Sequence, residues 1–306
     1  MAQHEPELPH GIALAWGLAA NPQRGPKREM SVERIVDSAI EIADEGGIGA
    51  VSMSAVAARL GFTPMSLYRY VSAKDDLLLL MVEQAQGVPP ESIREAEGWR
   101  AGLTVFAREA LALFVRHPWV LDVPVLGVAY TPNSLAWADS ALEALRDTPL
   151  DYAERLAAML AINAQVRFEG MVGRGYAAAA AAAGTEAQEL DAQIVAWLPQ
   201  LVTPEQFPQV HPAMESGVFG PDGAGPFGFG LERLLDGIEA YIAARPHGAG
   251  ARPSVDVEAE QLAAVVARDA KVREAAKAVR EAERALRDAR KRQREQERAA
   301  RERARR

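Results

Sequence analysis

The chain has 306 residues, 49% of them hydrophobic, carries a net charge of −8 and contains no cysteine. This length allows two domains, and the lack of cysteine excludes disulfides, thiolate metal sites and thiol nucleophiles. No apolar run reaches the length of a membrane span and the N-terminus lacks a signal-peptide pattern, so we expect a cytoplasmic protein. Long stretches rich in Ala, Leu, Glu and Arg, without sustained alternation of apolar and polar residues, predict an all-α fold.

Residues 1–30 read as an N-terminal basic arm that contains several prolines. Three cations lie close together near its end: Arg24, Lys27 and Arg28. One interpretation is a solvated terminus without a partner. The other is an arm that reaches DNA phosphates or the minor groove, and it is favoured because a helix-turn-helix is predicted in the residues that follow the arm.

Residues 31–86 predict four helices with a tight turn between the second and the third. Ser31 begins the first helix and Ser52 caps the second, which ends at Gly61. Thr63 and Pro64 are suited to the N-cap and first position of the next helix. This order of helix, glycine stop and new helix start predicts a helix-turn-helix, although two helices that pack for a purely structural purpose have the same order.

The third predicted helix carries an unusual number of hydrogen-bonding side chains for its length. Leu67 and Val71 are left to face inward, while the polar positions are Ser66, Tyr68, Arg69 and Tyr70. We expect a capping box from Ser72 to Asp75 to open a fourth helix that ends at Gln86. Lys74 lies in its first turn, where backbone amides and a cation together can hold a DNA phosphate.

Residues 87–245 predict a second, larger helical domain, with helices over 99–117, 132–146 and 150–183. Two interpretations of its polar and aromatic side chains stay open: plain core with a solvated or interface stripe, or a ligand cavity. The candidate ligand-binding residues are Phe106, Trp119, Tyr130, Trp137, Asn163, Gln165 and Glu169. Residues 202–230 contain a G-x-G-x-x-G pattern (223–228) that follows no strand, so we expect a loop there.

The last helix of this domain has a strong apolar stripe, which suits either the core or a dimer interface. The stripe consists of Leu231, Leu234, Leu235, Ile238, Tyr241 and Ile242. Dimerisation also follows from the motif, because one short recognition helix reads too few base pairs to be specific.

Residues 246–306 predict a linker and a charged helical tail. Val265, Val272, Val279 and Leu286 recur every seven residues, a thin coiled-coil seam. A solvated single helix and a contact with a protein or nucleic acid stay open as alternatives.

Residues 31–86 resemble the DNA-binding domain of the TetR family of bacterial transcriptional regulators. The resemblance rests on a first helix ending in EGG, on the run SMSAVAARLGFTPMSLYRYV and on the lysine that opens the fourth helix. The stretches WGL…RGPKR and PFGFGLERLLDGIEAYI resemble the subgroup with a tetracycline-repressor-like C-terminal domain.

This resemblance implies roles for individual residues at an operator. Contacts with the DNA backbone or a base edge are implied for Ser52, Met53 and Ser54, and contacts with bases for Thr63, Pro64, Met65 and Ser66. Phosphate contacts are implied for Tyr68, Tyr70 and Lys74, while Arg69 reaches either a phosphate or a guanine.

The resemblance also implies a homodimer built by the last helix and the 150–183 helix, a small-molecule effector and a double-stranded DNA operator. We expect no cofactor and no tetracycline–metal site, because the residues after His117 include no histidine in that region. The prediction is a ligand-responsive repressor that binds a pseudo-palindromic operator as a homodimer. A transcriptional activator of the same fold and a helical protein whose tail recruits a partner are the alternatives. An enzyme is disfavoured, since we find no nucleophile–base pair or metal-spaced cluster.

Overall fold

A computed structural model describes residues 8–18, 30–124, 130–218 and 226–245, together with scattered positions between 269 and 282. These residues form helices and turns without a strand, which confirms the all-α prediction. The chain divides into two compact units, residues 1–250 and 251–306. In the first unit, none of the described helices is long and apolar enough to cross a membrane.

The predicted DNA-binding part consists of four helices: α2 (Val32–Gly46), α3 (Met53–Leu60), α4 (Pro64–Leu67) and α5 (Lys74–Gln86). The Ser31 hydroxyl caps α2 by accepting a hydrogen bond from the Arg34 amide, 3.3 Å away. Helices α3 and α5 both pack on α2, and Ile35, Val56 and Leu77 are fully buried in the core. These are apolar positions at helical spacing, so burial of one stripe per helix drives the assembly.

A short helix, α1 (His10–Ala15), precedes the DNA-binding helices and packs on α5. The sequence predicted an irregular arm over residues 1–30, so this helix is a departure from the expectation. Its buried Gly11 and the partly buried Leu14 and Ala15 explain why it docks, since they supply an apolar face.

The second part of the first unit contains α6 (Ser92–Glu95), α7 (Trp99–Arg116), α8 (Pro132–Ala144) and α9 (Tyr152–Ala183). A 3₁₀ turn, Pro118–Asp122, follows α7. Helices α7, α8 and α9 pack on one another around Leu103, Phe106 and Ile162. Asp151 and Glu154 form a capping box at the start of α9, with both hydrogen bonds 2.9 Å long.

Three further helices follow: α10 (Ala187–Leu201), α11 (Val210–Glu215) and α12 (Pro226–Ala243). Helices α10 and α12 both pack on α9. The loop expected over 202–230 therefore contains α11 and the beginning of α12. The first part of its G-x-G-x-x-G pattern, residues 223–225, lies outside the described residues.

The capping box expected at Ser72 is wrong. Ala73 is the N-cap of α5, with an extended backbone and without a side-chain cap. Ser72 lies one residue too early and instead donates its hydroxyl to Asp76 Oδ2, 2.9 Å away.

The second unit is described at few positions. The Asp269 carboxylate accepts hydrogen bonds from the backbone amides of Lys271 and Val272, at 2.8 and 3.2 Å, and so caps a short helical stretch. The coiled coil expected over the tail stays a prediction.

Candidate nucleic-acid interface and effector domain

The turn between α3 and α4 depends on one glycine. Gly61 has φ +77° and ψ +26°, in the left-handed region that favours glycine. Its amide donates to the Ala58 carbonyl at 3.2 Å, and the Phe62 amide donates to Ala57 at 2.9 Å. These bonds end α3 and send the chain directly into α4, which confirms the predicted helix, turn and helix.

The segment formed by α4 and the residues after it has buried side chains on one side and exposed side chains on the other. Leu67 and Val71 are fully buried, whereas Met65 is 74% and Tyr68 46% exposed. The Thr63 hydroxyl lies 2.9 Å from that of Ser66 and forms no bond to a backbone amide. The buried residues thus fix this short segment to the core, and the side chains predicted to contact bases remain accessible to DNA.

The other predicted DNA contacts of the motif differ in accessibility. The exposed residues are Ser52, Ser54, Thr63, Pro64, Arg69 and Lys74, and Ser66 and Tyr70 are half-buried. The Ser52 hydroxyl accepts from the Ala55 amide at 3.1 Å, so it caps α3. Arg24, Lys27 and Arg28 lie outside the described residues.

Met53 is contradicted as a DNA contact by its burial, because only 6% of it is exposed. It opens the stripe that continues through Val56 and Ala57, at i, i+3 and i+4, and therefore faces the core.

One cation near the motif forms ion pairs within the protein. Arg59 on α3 pairs with Glu45 and Glu41 of α2, and the hydrogen bond to Glu45 raises the pKa of this guanidinium. Its charge is largely balanced within the protein, so we do not assign it to DNA.

Polar contacts join the DNA-binding helices to the second domain at the C-terminal end of α5. Glu83 Oε1 accepts from the Asn133 amide at 2.8 Å, and the Asn133 side chain donates to the Glu83 carbonyl at 2.9 Å. Ser134 donates to Gln86, and the Trp137 indole donates to the Gly87 carbonyl, each at 3.0 Å. The first turns of α8 therefore hold the end of α5.

A second junction involves α2. Asp44 Oδ1 accepts from the Trp119 indole at 2.7 Å and lies 2.8 Å from His117 Nδ1. The sequence singled out Trp119 and Trp137 as cavity walls, and both are buried. Their indole N–H groups bind the DNA-binding helices, a role that the sequence did not indicate.

The remaining candidate ligand residues lie in several environments. Phe106 is buried, edge-on to Trp137 with ring centroids 5.7 Å apart. The Tyr130 side chain is 65% exposed, which contradicts its assignment as a cavity wall. A ring that lies mostly in solvent cannot help to enclose a ligand.

The polar residues on α9 are half-buried: Asn163, Gln165 and Glu169. Gln165 approaches α12 so closely that a Cβ on Gly230 would lie 2.6 Å from its Nε2 atom. Desolvation raises the pKa of Glu169. Gln165 and Glu169 thus share the side of α9 predicted from their spacing, although their role as ligand contacts stays a prediction.

The apolar stripe of α12 packs largely on its own chain. Leu235 is fully buried, which corrects its assignment to a dimer interface, because no surface remains for a partner. Leu231, Leu234, Ile238 and Ile242 are partly buried against the same core. Tyr241 is 38% exposed and donates its hydroxyl to Glu154 at 2.7 Å.

Helix α9 exposes a different apolar stripe that the sequence reasoning missed. Leu160 is 45%, Phe168 58% and Met171 51% exposed. These positions, with Ala164, recur at spacings of three and four residues, so they lie on one face. The same spacing in the sequence was a signal for this face, but it could not be distinguished from a core stripe.

Two family models match the chain. The model described as bacterial regulatory proteins, tetR family, matches residues 35–81, and the model for the tetracyclin repressor-like C-terminal domain matches residues 92–242. The HTH-type transcriptional repressor DrrR1 of Streptomyces coeruleorubidus is 37% identical over 256 residues, covering 78% of this chain and 88% of the relative.

Solved structures show the same fold. Apo ActR from Streptomyces coelicolor has a TM-score of 0.58 at 22% identity and covers 71% of this chain and 99% of its own. ActR in complex with actinorhodin also has a TM-score of 0.58, at 21% identity, and covers 70% and 98%.

Proposed function

We propose, from the premise that this chain belongs to the tetR family of bacterial regulatory proteins, that it represses transcription at a pseudo-palindromic operator. It is a DNA-binding regulator that responds to a ligand and acts as a homodimer. The observation that carries the proposal is the α4 surface, where Leu67 and Val71 are buried while Met65 and Tyr68 are exposed. We place its action in the cytoplasm, where operator DNA is accessible.

The operator contacts divide into those that specify sequence and those that position the domain. Met65, Ser66, Thr63 and Pro64 meet base edges, and Met65 and Pro64 supply apolar contact to thymine methyl groups. Tyr68, Arg69 and Lys74 hold the DNA backbone, with Ser52 and Ser54 beside the adjacent phosphates. Tyr70 is half-buried and packs partly against the core, and its accessible part adds to the phosphate contacts.

The homodimer uses the exposed α9 face together with the outer side of α12. Leu160, Phe168 and Met171 supply apolar surface, and Tyr241 lies near the α9–α12 contact. An isologous contact of this kind relates the two copies of α4 by a two-fold axis, which matches the symmetry of a palindromic site.

Release by an effector follows from the two junctions between the domains. A small molecule bound in the α7–α9 domain shifts α8 relative to α9, and α8 holds the end of α5 through Asn133, Ser134 and Trp137. The ligand favours a dimer whose two α4 helices no longer fit adjacent major grooves. This is a population shift, so the ligand must bind the non-DNA-binding state more tightly. ActR, with the same fold, is known in complex with actinorhodin.

Genomic DNA capture tests the proposal directly. Fragmented DNA from the source organism is bound to the full-length protein, washed, sequenced and searched for a shared inverted repeat. The repeat is then titrated by fluorescence anisotropy at several salt concentrations against a scrambled fragment. We expect submicromolar affinity that falls steeply with salt and exceeds binding to the scramble by at least about a thousandfold. Equal affinity for both fragments would reject a specific operator.

A further inference from the structure

Helix α1 and the residue that follows it contact both the DNA-binding helices and the second domain. The helix lies on α5, and its Gly11 amide donates to Asp76 Oδ1 at 3.0 Å. One residue after the helix, the Trp16 indole donates to the Tyr130 carbonyl at 2.8 Å. Tyr130 directly precedes Thr131, the N-cap of α8. The segment from Gly11 to Trp16 therefore spans from the first turn of α5 to the entrance of α8.

A glycine on α1 allows the close contact at Asp76. A Cβ at Gly11 would lie 2.6 Å from Asp76 Oδ1 and 3.2 Å from the Asp76 Cα atom. The latter is backbone and cannot rotate away, so a larger residue would move α1 a few tenths of an ångström away from α5. Asp76 is held from the other side by the Ser72 hydroxyl, which fixes the carboxylate for the Gly11 amide.

The same turn of α5 faces the operator. Lys74 lies two residues before Asp76 and is exposed, whereas Asp76 is half-buried under α1. Any force on Asp76 acts on the helix end that positions Lys74. The far end of the segment is attached to the beginning of α8, the helix whose first turns also hold the end of α5.

We propose that residues 9–16 form a strap that transmits the position of the α8 entrance to the operator-facing start of α5. Asp76 and Trp16 are its two attachment points, and both are positioning residues. The strap acts beside the Glu83–Asn133 junction, so α5 is controlled at both ends. This inference rests on the proposed operator binding, and its attachments are measurable without DNA.

Hydrogen–deuterium exchange on the full-length protein tests the attachments. Trp16→Phe keeps an aromatic ring and removes the N–H donor, and Asp76→Ala removes the acceptor at the other end. We expect both variants to speed exchange in residues 9–18 by at least about fivefold. Trp16→Phe should also speed exchange at residues 73–78, although Trp16 does not lie in α5. Unchanged exchange in α9 peptides confirms that each variant is folded.

Two matched controls separate the strap from charge and from loss of an indole. Asp75→Ala removes a carboxylate from the same turn, but Asp75 is exposed and not bonded to α1 in the described contacts. Trp197→Phe replaces an indole that is 55% exposed on α10. Both controls should leave exchange in residues 9–18 as in the wild type. Faster exchange in a control by the same factor would overturn the attachment.

Operator anisotropy then tests transmission, with the fragment captured by the wild-type protein. Asp75→Ala should bind as tightly or more tightly, because it removes a negative charge near phosphates. Asp76→Ala and Trp16→Phe should bind about three- to tenfold more weakly, and the double variant no more weakly than Asp76→Ala, since both break one strap. Wild-type affinity in undocked variants would overturn the strap and leave the proposed function intact. Failure of the wild-type protein to bind any fragment specifically would overturn the function, while exchange still decides the attachments.

Discussion

Two side chains of α4 have opposite physical roles. Leu67 is fully buried and fixes the helix to the core, while Met65, two residues earlier, leaves 74% of its surface in solvent. Burial of a leucine contributes about 2 kcal/mol or more to folding, whereas an exposed methionine contributes little. The division means that folding and DNA reading use different atoms of the same short helix.

Leu67→Ala should therefore lower the free energy of unfolding by about 2–5 kcal/mol, because it opens a cavity among packed helices. Met65→Ala should change it by less than about 0.5 kcal/mol, since nothing packed is lost. Chemical denaturation followed by circular dichroism measures both. Similar losses in the two variants would contradict the assignment of α4 faces.

Lys74→Ala should weaken binding to specific and scrambled DNA by the same factor and reduce the salt slope by about one. The lysine is exposed at the start of α5 and neutralises a phosphate that every sequence has. Met65→Ala, in contrast, should weaken binding chiefly at sites whose contacted base is thymine. Anisotropy titrations over a salt series distinguish the two. A sequence-selective loss in Lys74→Ala would place this lysine at a base edge.

At the scale of elements, two glycines inside helices differ in whether the packing between helices depends on them. A Cβ at Gly102 of α7 would lie 2.7 Å from the Ala144 Cβ atom and 3.2 Å from the Ile93 carbonyl oxygen, whereas a Cβ at Gly173 of α9 would meet nothing within 4 Å. The first glycine lets α7 and α8 approach, and the second only costs helix stability.

Gly102→Ala should destabilise the protein by about 1–3 kcal/mol through overpacking. Gly173→Ala should stabilise it by about 0.5–1 kcal/mol, because alanine favours the helix and restricts the unfolded chain. Differential scanning calorimetry of the pair measures the contrast. A stabilised Gly102→Ala would show that the α7–α8 contact yields more easily than its distances indicate.

Helix α12 is held on α7 by one arginine and several acids. Arg100 bonds Glu232 and Asp236 at 2.6 Å and Glu239 at 3.0 Å. The hydrogen bond from Arg100 lowers the pKa of Asp236, with a further contribution from Arg233. A carboxyl whose folded pKa is depressed stabilises the fold above its unfolded pKa, about 4, and loses this contribution as the pH falls through the folded value.

Asp236→Asn should accordingly lower the Tm at pH 7, by a small amount because the pair is only half-buried. The difference from wild type should shrink as the pH falls below the unfolded pKa, about 4, and through the lower folded pKa. Added salt should shrink it at pH 7. Glu97→Gln, an exposed carboxylate before α7, is the control and should leave the Tm unchanged. A difference that persists in acid would mean that Asp236 acts through packing.

Strong helical periodicity and turn residues made most elements predictable. Ser31, Gly61 and Pro64 marked helix ends that the structure confirms, because caps act locally. Helix α1 was missed, since a six-residue helix is stabilised by its docking on α5 and leaves little local pattern. Met53 and Leu235 were misjudged for a related reason. Periodicity identifies an apolar face but not the surface that covers it, so core and interface look alike.

At the scale of the whole molecule, the exposed α9 face determines whether two DNA-binding domains act together in a dimer. Leu160→Glu with Met171→Glu should produce monomers, because burying these charges without partners opposes association. Val115→Glu, at a position 72% exposed on α7, should remain dimeric. Sedimentation velocity gives the oligomeric state and anisotropy the operator affinity. Monomers that retain full affinity for the palindrome would contradict the dimeric mode of reading.

The Gly61 turn and the buried residues Leu67 and Val71 together hold the segment from Thr63 to Tyr70 in place, so its exposed residues can be replaced without loss of the fold. The other positions from Thr63 to Tyr70 surround a fixed apolar anchor, and most of them face solvent. Substitutions at these exposed positions can therefore change the operator sequence that this regulator recognises while the effector-binding domain stays the same. A genetic circuit built in this way would inherit the effector response unchanged and carry it to a new promoter.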